Sequence, residues 1–327
     1  MTPTPLFLLS LPRAGSTLVQ RVLASHEEIS TAPEPWVLLP QVYATRERGV
    51  TAEYGQVPSS RAIREFARGL PGGEAAYEEE LRGFVERLYA RASSDGARYF
   101  LDKTPRYHLV AEDLFRLFPE ARFLFLWRNP LAVAASIVET WGSGSWIVDK
   151  YRLDLFDGVA NLVRAYGEHR DRVSSVRFED LVGDPPAAWP PVFEWLGLPF
   201  DPGVLTRFGD VRLDARMGDP TGAKRYRELS AEPIEKWRST LRGRVRTRWA
   251  RSYLRWIGPE RLSLMGYDLA ELLASLDALP SSSGRTGADL ARAAYGRVSA
   301  SRRRRAKDLL ARRGDGSERL APPEHRA

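Results

Sequence analysis

The six-residue segment PRAGST, which begins at Pro12, has the residue types of a phosphate or sulfate site. Gly15 lets the backbone come close to a ligand. Ser16 and Thr17 supply two hydroxyls and the first amides of a predicted helix, which lack partners within that helix. Arg13 adds a guanidinium that can bind two anionic oxygens at once. We therefore predict an anion-binding turn made of Arg13, Ala14, Gly15, Ser16 and Thr17.

Two simpler interpretations of this turn use the same residue types. A capped helix start with a surface arginine would also contain serine and threonine, which are common before an apolar helix. A nucleotide-triphosphate loop would follow the pattern G-x-x-x-x-G-K-[ST]. The turn has one glycine and no lysine, so it does not fit the second pattern.

Two more basic residues follow predicted strands. Lys103 lies in LDKTPRY and Arg128 follows the apolar run RFLFLW. Because the carboxyl ends of parallel strands meet at one edge of a sheet, both side chains are expected near the PRAGST turn. The chain has 5 lysines and 44 arginines, which favours a specific role for a lysine in a motif. An ammonium is a compact donor that can approach a single oxygen.

The elements that must position these residues alternate along the chain. Apolar segments followed by turn signals predict strands at residues 6–10, 99–101, 122–127 and 175–178. Amphipathic patterns predict helices at residues 17–24, 77–92 and 131–141. This alternation predicts an α/β fold of three layers, α/β/α, with a central, mainly parallel sheet. Residues 205–279 add a helical C-terminal part.

Composition separates a body from a tail. Residues 281–327 contain 12 Lys and Arg against 5 Asp and Glu, whereas residues 1–280 contain 37 of each sign. We predict one domain at residues 1–280 and a basic, flexible or partly helical tail at residues 281–327. The net charge of +7 therefore belongs to the tail, which could contact an acidic partner. A neutral body argues against specific nucleic-acid binding.

Residue counts exclude several other classes of site. The chain has no cysteine, so disulfides and thiolate metal sites are excluded, and its four scattered histidines argue against a histidine metal site. It has no run of about 18 apolar residues, so no transmembrane helix is expected. The first residues lack a basic region and read as a core strand, which predicts a cytoplasmic protein.

The motifs together resemble those of sulfotransferases that use 3′-phosphoadenosine-5′-phosphosulfate (PAPS). PRAGST resembles their 5′-phosphosulfate loop, and RFLFLWRNPLAVAASIVETW is similar to their 3′-phosphate site, with Arg128 and Ser136. VRFEDLVGDP and FEWLGLPFDP resemble the segment that follows in bacterial and protein-tyrosine sulfotransferases. GDPTGAKRYRELS and IEKWRSTL resemble the late segment that closes over the nucleotide. The matches run in order from residue 6 to about residue 241.

The resemblance implies a fold related to P-loop nucleotide triphosphatases, PAPS as donor, 3′-phosphoadenosine-5′-phosphate (PAP) as product and no metal. It implies that Glu34 is the base and that Lys103 stabilises the leaving phosphate. Glu34 lies in Pro33-Glu34-Pro35-Trp36, without the doubled glutamate common in protein-tyrosine sulfotransferases. Lys236 matches a nucleotide contact, although Lys224 and Arg225 could instead serve the 3′-phosphate.

Sulfuryl transfer by in-line attack of an acceptor hydroxyl is therefore the expected function. A nucleotide kinase-like phosphotransferase and a non-catalytic polyanion-binding protein remain as alternatives. The acceptor is open between a glycan, a small metabolite and a tyrosine, with a carbohydrate or small molecule favoured. His108 is a second candidate base. Aromatic residues that could stack on an acceptor are Trp36, Tyr43, Trp141, Trp146 and Tyr151.

Overall fold

A five-stranded parallel sheet forms the centre of the computed structural model, which describes residues 2–211, 213, 229–280 and 287–296. The spatial order of the strands is β2-β3-β1-β4-β5, and every neighbouring pair is parallel. The strands are β1 (Thr4–Ser10), β2 (Ile29–Thr31), β3 (Tyr99–Asp102), β4 (Arg122–Trp127) and β5 (Val173–Arg177).

Helices cover the sheet and form the C-terminal part. The helices of the first half are α1 (Ser16–Ala24), α2 (Leu38–Ala44), α3 (Gln56–Gly69), α4 (Gly73–Ala92), α5 (Ala111–Leu117), α6 (Pro130–Gly142) and α7 (Gly158–Glu168). Those that follow are α8 (Phe178–Gly183), α9 (Pro185–Ala188), α10 (Pro190–Leu196), α11 (Val204–Arg207), α12 (Glu232–Glu235), α13 (Trp237–Thr240), α14 (Arg244–Leu264) and α15 (Leu269–Asp277). The predicted three-layer α/β/α class is confirmed.

The register of the sheet brings the predicted site segments to one edge. β1 is the central strand and pairs with β3 on one side and β4 on the other. The PRAGST turn follows β1, Lys103 follows β3, and Arg128 follows β4. Their carboxyl ends point the same way, so the fold gathers the three segments around a single strand.

The sequence predicted the central strands better than the outer ones. The strand at residues 122–127 is β4 as predicted, because the five residues after Arg122 are all apolar and three of them are aromatic. β5 covers residues 173–177 instead of 175–178, since Phe178 begins α8 and is buried. β2 was missed because its three residues, Ile-Ser-Thr, contain no apolar run.

The C-terminal part is mainly helical, as predicted. α14 is interrupted at Gly258, which has φ of 80°, and Pro259 then starts a new helical direction. Residues 287–296 are helical, and Asp289 forms an ion pair with Arg246 of α14 at 2.7 Å. Both side chains are buried, so this part of the predicted tail is packed on the body. A domain boundary after residue 280 stays a prediction.

The described part of the chain contains no helix that is both long and apolar enough to cross a bilayer.

The Arg246–Asp289 pair makes the first testable prediction. Asp289→Ala should lower the free energy of unfolding by about 3 kcal/mol, because it leaves a buried guanidinium without its charge partner. Asp277→Ala is the matched control. Asp277 pairs with Arg251, which lies in α14 like Arg246, but the side chain of Asp277 is half exposed. A surface pair contributes about 0–1 kcal/mol. Urea denaturation of both variants checks this, and equal losses would contradict a structural role for residues 287–296.

Candidate active site

The turn between β1 and α1 has a backbone that only particular residues can adopt. Gly15 precedes the first helical residue with φ of 95°, and Arg13 has φ of 68°. A Cβ atom on Gly15 would lie 2.3 Å from Cδ2 of Phe178. Gly15 is therefore required both by its dihedral angle and by the close approach of Phe178.

Arg13 links the turn to the helix that follows β4. Its Nε donates to Oγ of Ser136 at 3.4 Å and its Nη2 donates to Oγ1 of Thr140 at 3.3 Å. The two hydroxyls are four residues apart in α6, so they lie on one face of that helix. The predicted phosphosulfate loop and the predicted 3′-phosphate site are thus in direct contact.

Arg128 holds the turn from the other side. Its Nη1 donates to the carbonyl of Arg13 at 2.9 Å, and its Nη2 donates to the carbonyl of Pro233 at 3.1 Å. The guanidinium lies over the ring of Phe178, 4.5 Å from the centroid. Arg128 is buried, with a relative exposure of 8%. A guanidinium at this position, beside the turn and at the end of β4, is of the type that binds anionic oxygens.

These residues line a cavity of about 200 Å³. Four predicted nucleotide-binding residues reach it, namely Arg13, Arg128, Ser136 and Lys236. Lys236 is half exposed and its Nζ is 4.0 Å from a carboxylate oxygen of Glu232. Phe178 and Trp237 supply aromatic walls. Ala14, Ser16 and Thr17 are buried in the turn itself.

Thr140 also lines this cavity and was not predicted from the sequence. Its position four residues after Ser136 in a predicted helix was the available signal, because that spacing places two side chains on the same face. Glu139 was also missed; its Oε1 accepts a hydrogen bond from Thr240 Oγ1 at 3.0 Å and so joins α6 to α13. Lys224 and Arg225 lie outside the described residues.

The predicted catalytic pair is in direct contact. Nζ of Lys103 lies 2.7 Å from Oε1 of Glu34, and the side chains are 3% and 12% exposed. The other carboxylate oxygen, Oε2, accepts from Nε1 of Trp36 at 3.3 Å. A base candidate and a cation candidate, 69 positions apart in sequence, therefore form one buried ion pair.

The loop that carries Glu34 is strained. Glu34 has φ of 34° and Trp36 has φ of 58°, a region that non-glycine residues rarely adopt. Such residues cost about 1–3 kcal/mol each and persist only where surrounding contacts enforce them. One such contact runs from the backbone N–H of Trp36 to Oγ1 of Thr104, at 3.2 Å.

A buried carboxylate lies beneath Lys103. Asp102, the last residue of β3, accepts hydrogen bonds from the hydroxyls of Tyr89 at 2.6 Å, Tyr107 at 2.7 Å and Thr104 at 2.9 Å. Burial raises the pKa of Asp102, while the three hydroxyl donors and the nearby Lys103 charge oppose that rise. The network joins the end of β3 to α4.

His108, the second candidate base, lies in the interior of the protein. Its ring is buried and its Nε2 lies 3.1 Å from Oδ1 of Asp154, which also pairs with Arg106. A histidine held this way matches a structural role, so Glu34 remains the base candidate.

The aromatic acceptor candidates divide into buried and accessible groups. Trp146 is 2% exposed and packs against Trp249 in the core, which argues against contact with an acceptor. Trp141 is 40% exposed and stacks on Tyr151 with centroids 4.7 Å apart. Tyr43 lies beneath the guanidinium of Arg46.

One group of possible metal ligands lies close together among the described residues: Glu112, Glu168 and His169. His169 bonds to Glu112 at 3.1 Å and stacks on Phe115 at 3.9 Å. These contacts involve two of the three residues, and the absence of a metal requirement stays a prediction.

Comparison with known proteins identifies a family. A family model described as the sulfotransferase family matches residues 5–202. The nodulation protein NoeE of Sinorhizobium fredii is 29% identical over 273 residues, which cover 74% of this chain and 62% of that protein. Protein-tyrosine sulfotransferase 2 of Gallus gallus is 24% identical over 280 residues, which cover 80% of this chain and 69% of that protein. The chain thus spans less than two thirds of the nodulation protein's length.

A solved structure supports the fold. The sulfotransferase domain of the olefin synthase from Synechococcus PCC 7002 superposes with a TM-score of 0.50 at 23% identity, covering 73% of this chain and 88% of that domain.

The contact between Gly15 and Phe178 makes the second prediction. A positive φ alone costs a non-glycine residue about 1–3 kcal/mol. Gly15→Ala should destabilise the protein by more than this, because its Cβ would also clash with Phe178. Gly96→Ala is the control, since Gly96 has φ of 84° and no atom within 4 Å of the added Cβ. Unfolding free energies from urea titration measure the difference. Equal losses at the two positions would mean that Phe178 does not constrain the turn.

Proposed function

This chain belongs to the sulfotransferase family, and from that premise we propose that it transfers a sulfuryl group from PAPS to an acceptor hydroxyl. The observation that carries the proposal is the buried ion pair of Lys103 and Glu34 at the sheet edge that also holds the PRAGST turn. We interpret Lys103 as the cation that serves the donor and Glu34 as the base that serves the acceptor, and their proximity supports this proposal.

The donor end of the site fits an anionic nucleotide. We assign Arg13, Ala14, Gly15, Ser16 and Thr17 to the 5′-phosphosulfate, where the first amides of α1 and the Arg13 guanidinium favour negative charge. We assign Arg128, Ser136 and Lys236 to the 3′-phosphate and nucleotide. The cavity lined by Arg13, Arg128, Ser136 and Lys236 supports this assignment, and its aromatic walls are Phe178 and Trp237.

PAPS supplies an activated sulfuryl group whose leaving group is the phosphate of PAP. The acceptor oxygen forms a bond to sulfur while the bond from sulfur to the bridging phosphate oxygen breaks. Lys103 stabilises the negative charge that grows on that oxygen and on the transferred group. Glu34 takes the proton of the acceptor hydroxyl. The products are PAP and the sulfated acceptor.

The ion pair also orders these roles. An anionic donor at Lys103 competes with Glu34 for the ammonium. When the ammonium turns to the donor, Oε1 of Glu34 is released from Lys103 and can accept a hydrogen bond from the acceptor hydroxyl. In the free protein, by contrast, both carboxylate oxygens of Glu34 have donors, from Lys103 and Trp36. Donor binding therefore leaves the Glu34 carboxylate available to take the acceptor's proton.

The acceptor is proposed only as a hydroxyl compound. Of two relatives, one is named a protein-tyrosine sulfotransferase and the other a nodulation protein, so their names do not agree on an acceptor. Radiolabelled sulfate transfer from PAPS to a panel of sugars, phenols and tyrosine peptides tests the proposal. Label on one acceptor class together with equimolar PAP supports it. Transfer of phosphate from ATP, with none of sulfate from PAPS, would contradict it.

Binding of PAP makes the third prediction. PAP should raise the unfolding temperature in a concentration-dependent way, because it binds the native state. Arg128→Ala should weaken its affinity by about 1.5–3 kcal/mol, the range for a charged hydrogen bond. Arg122→Ala is the control, since Arg122 begins the strand that Arg128 follows and lies over Trp195 instead. Calorimetric titration measures both, and unchanged affinity in Arg128→Ala would remove it from the site.

The two catalytic roles make the fourth prediction. Glu34→Gln keeps the size and polarity of the side chain but cannot take a proton, so kcat should fall by roughly 10²–10⁴ while PAP still binds. An acceptor with a lower pKa should restore part of the rate, because its oxygen is already ionised. Lys103→Ala should show a much smaller recovery, since its main lost interaction is with the donor. Rates with phenols of graded pKa decide this; a Glu34→Gln variant with wild-type rates on a high-pKa alcohol would exclude Glu34 as the base.

A further inference from the structure

Glu34 lies in a loop whose backbone conformation is unfavourable without contacts from the rest of the protein. Two of its residues, Glu34 and Trp36, have positive φ angles. Because that backbone is unfavourable for these residue types, outside contacts must enforce it. The ion pair with Lys103 is one such contact, but any anionic donor at Lys103 competes with it. A second contact is then needed to keep the carboxylate in place during the reaction.

The second contact comes from a hydroxyl on the Lys103 side of the site. Oγ1 of Thr104 accepts from the backbone N–H of Trp36 at 3.2 Å. The bond joins the backbone two residues after Glu34 to the residue directly after Lys103. It joins an uncharged backbone N–H to an uncharged hydroxyl, so a change of charge at Lys103 does not remove it. Thr104 is 1% exposed, which keeps water from replacing it.

Asp102 sets the direction of that bond. A threonine hydroxyl has one proton to donate. Oδ1 of Asp102 accepts this proton at 2.9 Å, so Oγ1 of Thr104 faces Trp36 as an acceptor. Oδ2 of Asp102 is held by the hydroxyls of Tyr89 and Tyr107. The carboxylate is fully buried and fixed from both sides.

We propose that Thr104 and Asp102 are positioning residues that keep the Glu34 carboxylate beside the acceptor when the donor engages Lys103. The inference rests on the proposed function. Neither residue touches the reacting atoms; each acts through the loop that carries Glu34. Their contribution should therefore appear in kcat and in its dependence on acceptor pKa rather than in nucleotide affinity.

The test compares three variants of the full chain. Thr104→Val keeps the shape of the side chain and removes the hydroxyl, whereas Thr104→Ser keeps the hydroxyl. Tyr89→Phe is the matched control, because it removes a hydroxyl from the same Asp102 carboxylate but has no bond to the Glu34 loop. Each variant is measured for unfolding free energy, PAP affinity, and kcat with phenols of graded pKa.

The expected result separates positioning from stability. Thr104→Val should lower kcat roughly 10–100-fold, the effect of a misplaced catalytic group, with PAP affinity unchanged and a smaller loss for low-pKa phenols. Thr104→Ser should recover most of the rate. Tyr89→Phe should lose stability without a comparable loss of kcat. If Thr104→Val does not fold, Thr104→Ala serves in its place, because it adds no methyl group next to Asp102.

Two outcomes would overturn the inference. One is a Thr104→Val variant whose kcat equals that of Tyr89→Phe. The other is a loss of kcat that is the same for acceptors of every pKa, which would mean that the substitution does not act through the position of Glu34. A wild-type protein that transfers no sulfate from PAPS to any acceptor would instead remove the proposed function itself, so the two failures can be told apart.

Discussion

The buried ion pair of Lys103 and Glu34 is the constraint on which the site depends. Two opposite charges that are 3% and 12% exposed need each other, because a buried charge without a partner is strongly destabilising. The pair fixes the distance between the end of β3 and the loop after β2. In the proposed reaction the same two groups serve different molecules, Lys103 the donor and Glu34 the acceptor. One interaction therefore couples the proposed donor end of the site to the proposed acceptor end.

The sheet makes that coupling possible. β1 lies between β3 and β4, so the turn after β1 is flanked by Lys103 on one side and by Arg128 on the other. The proposed donor end is held together by Arg13, which reaches α6, and by Arg128, which donates to the carbonyl of Arg13. Asp102 and the three hydroxyls bonded to it support the end of β3 beside Lys103. Both sets of contacts are thus attached to the parallel strands β1, β3 and β4.

Sequence patterns predicted the parts of the fold that depend on local residue types. β4 and the arginine after it were readable because an apolar run is followed by Asn129 and Pro130, which start a helix. The contact between Lys103 and Glu34 could not be predicted from the sequence. It depends on β2 and β3 being neighbours, and β2 has only three residues. The positive φ values of Glu34 and Trp36 follow from tertiary contacts and leave no signal in a single sequence. Thr140 was readable from its spacing to Ser136 but was not recognised.

A double-mutant cycle on kcat/KM for sulfate transfer from PAPS, with Glu34→Gln, Lys103→Ala and the double variant, tests the coupling most directly. Because each residue holds the other in place, removing one already disturbs the other. We predict that the double variant loses much less transition-state stabilisation than the sum of the losses in the two single variants. Single losses that add fully would contradict it, since Glu34 and Lys103 would then act independently.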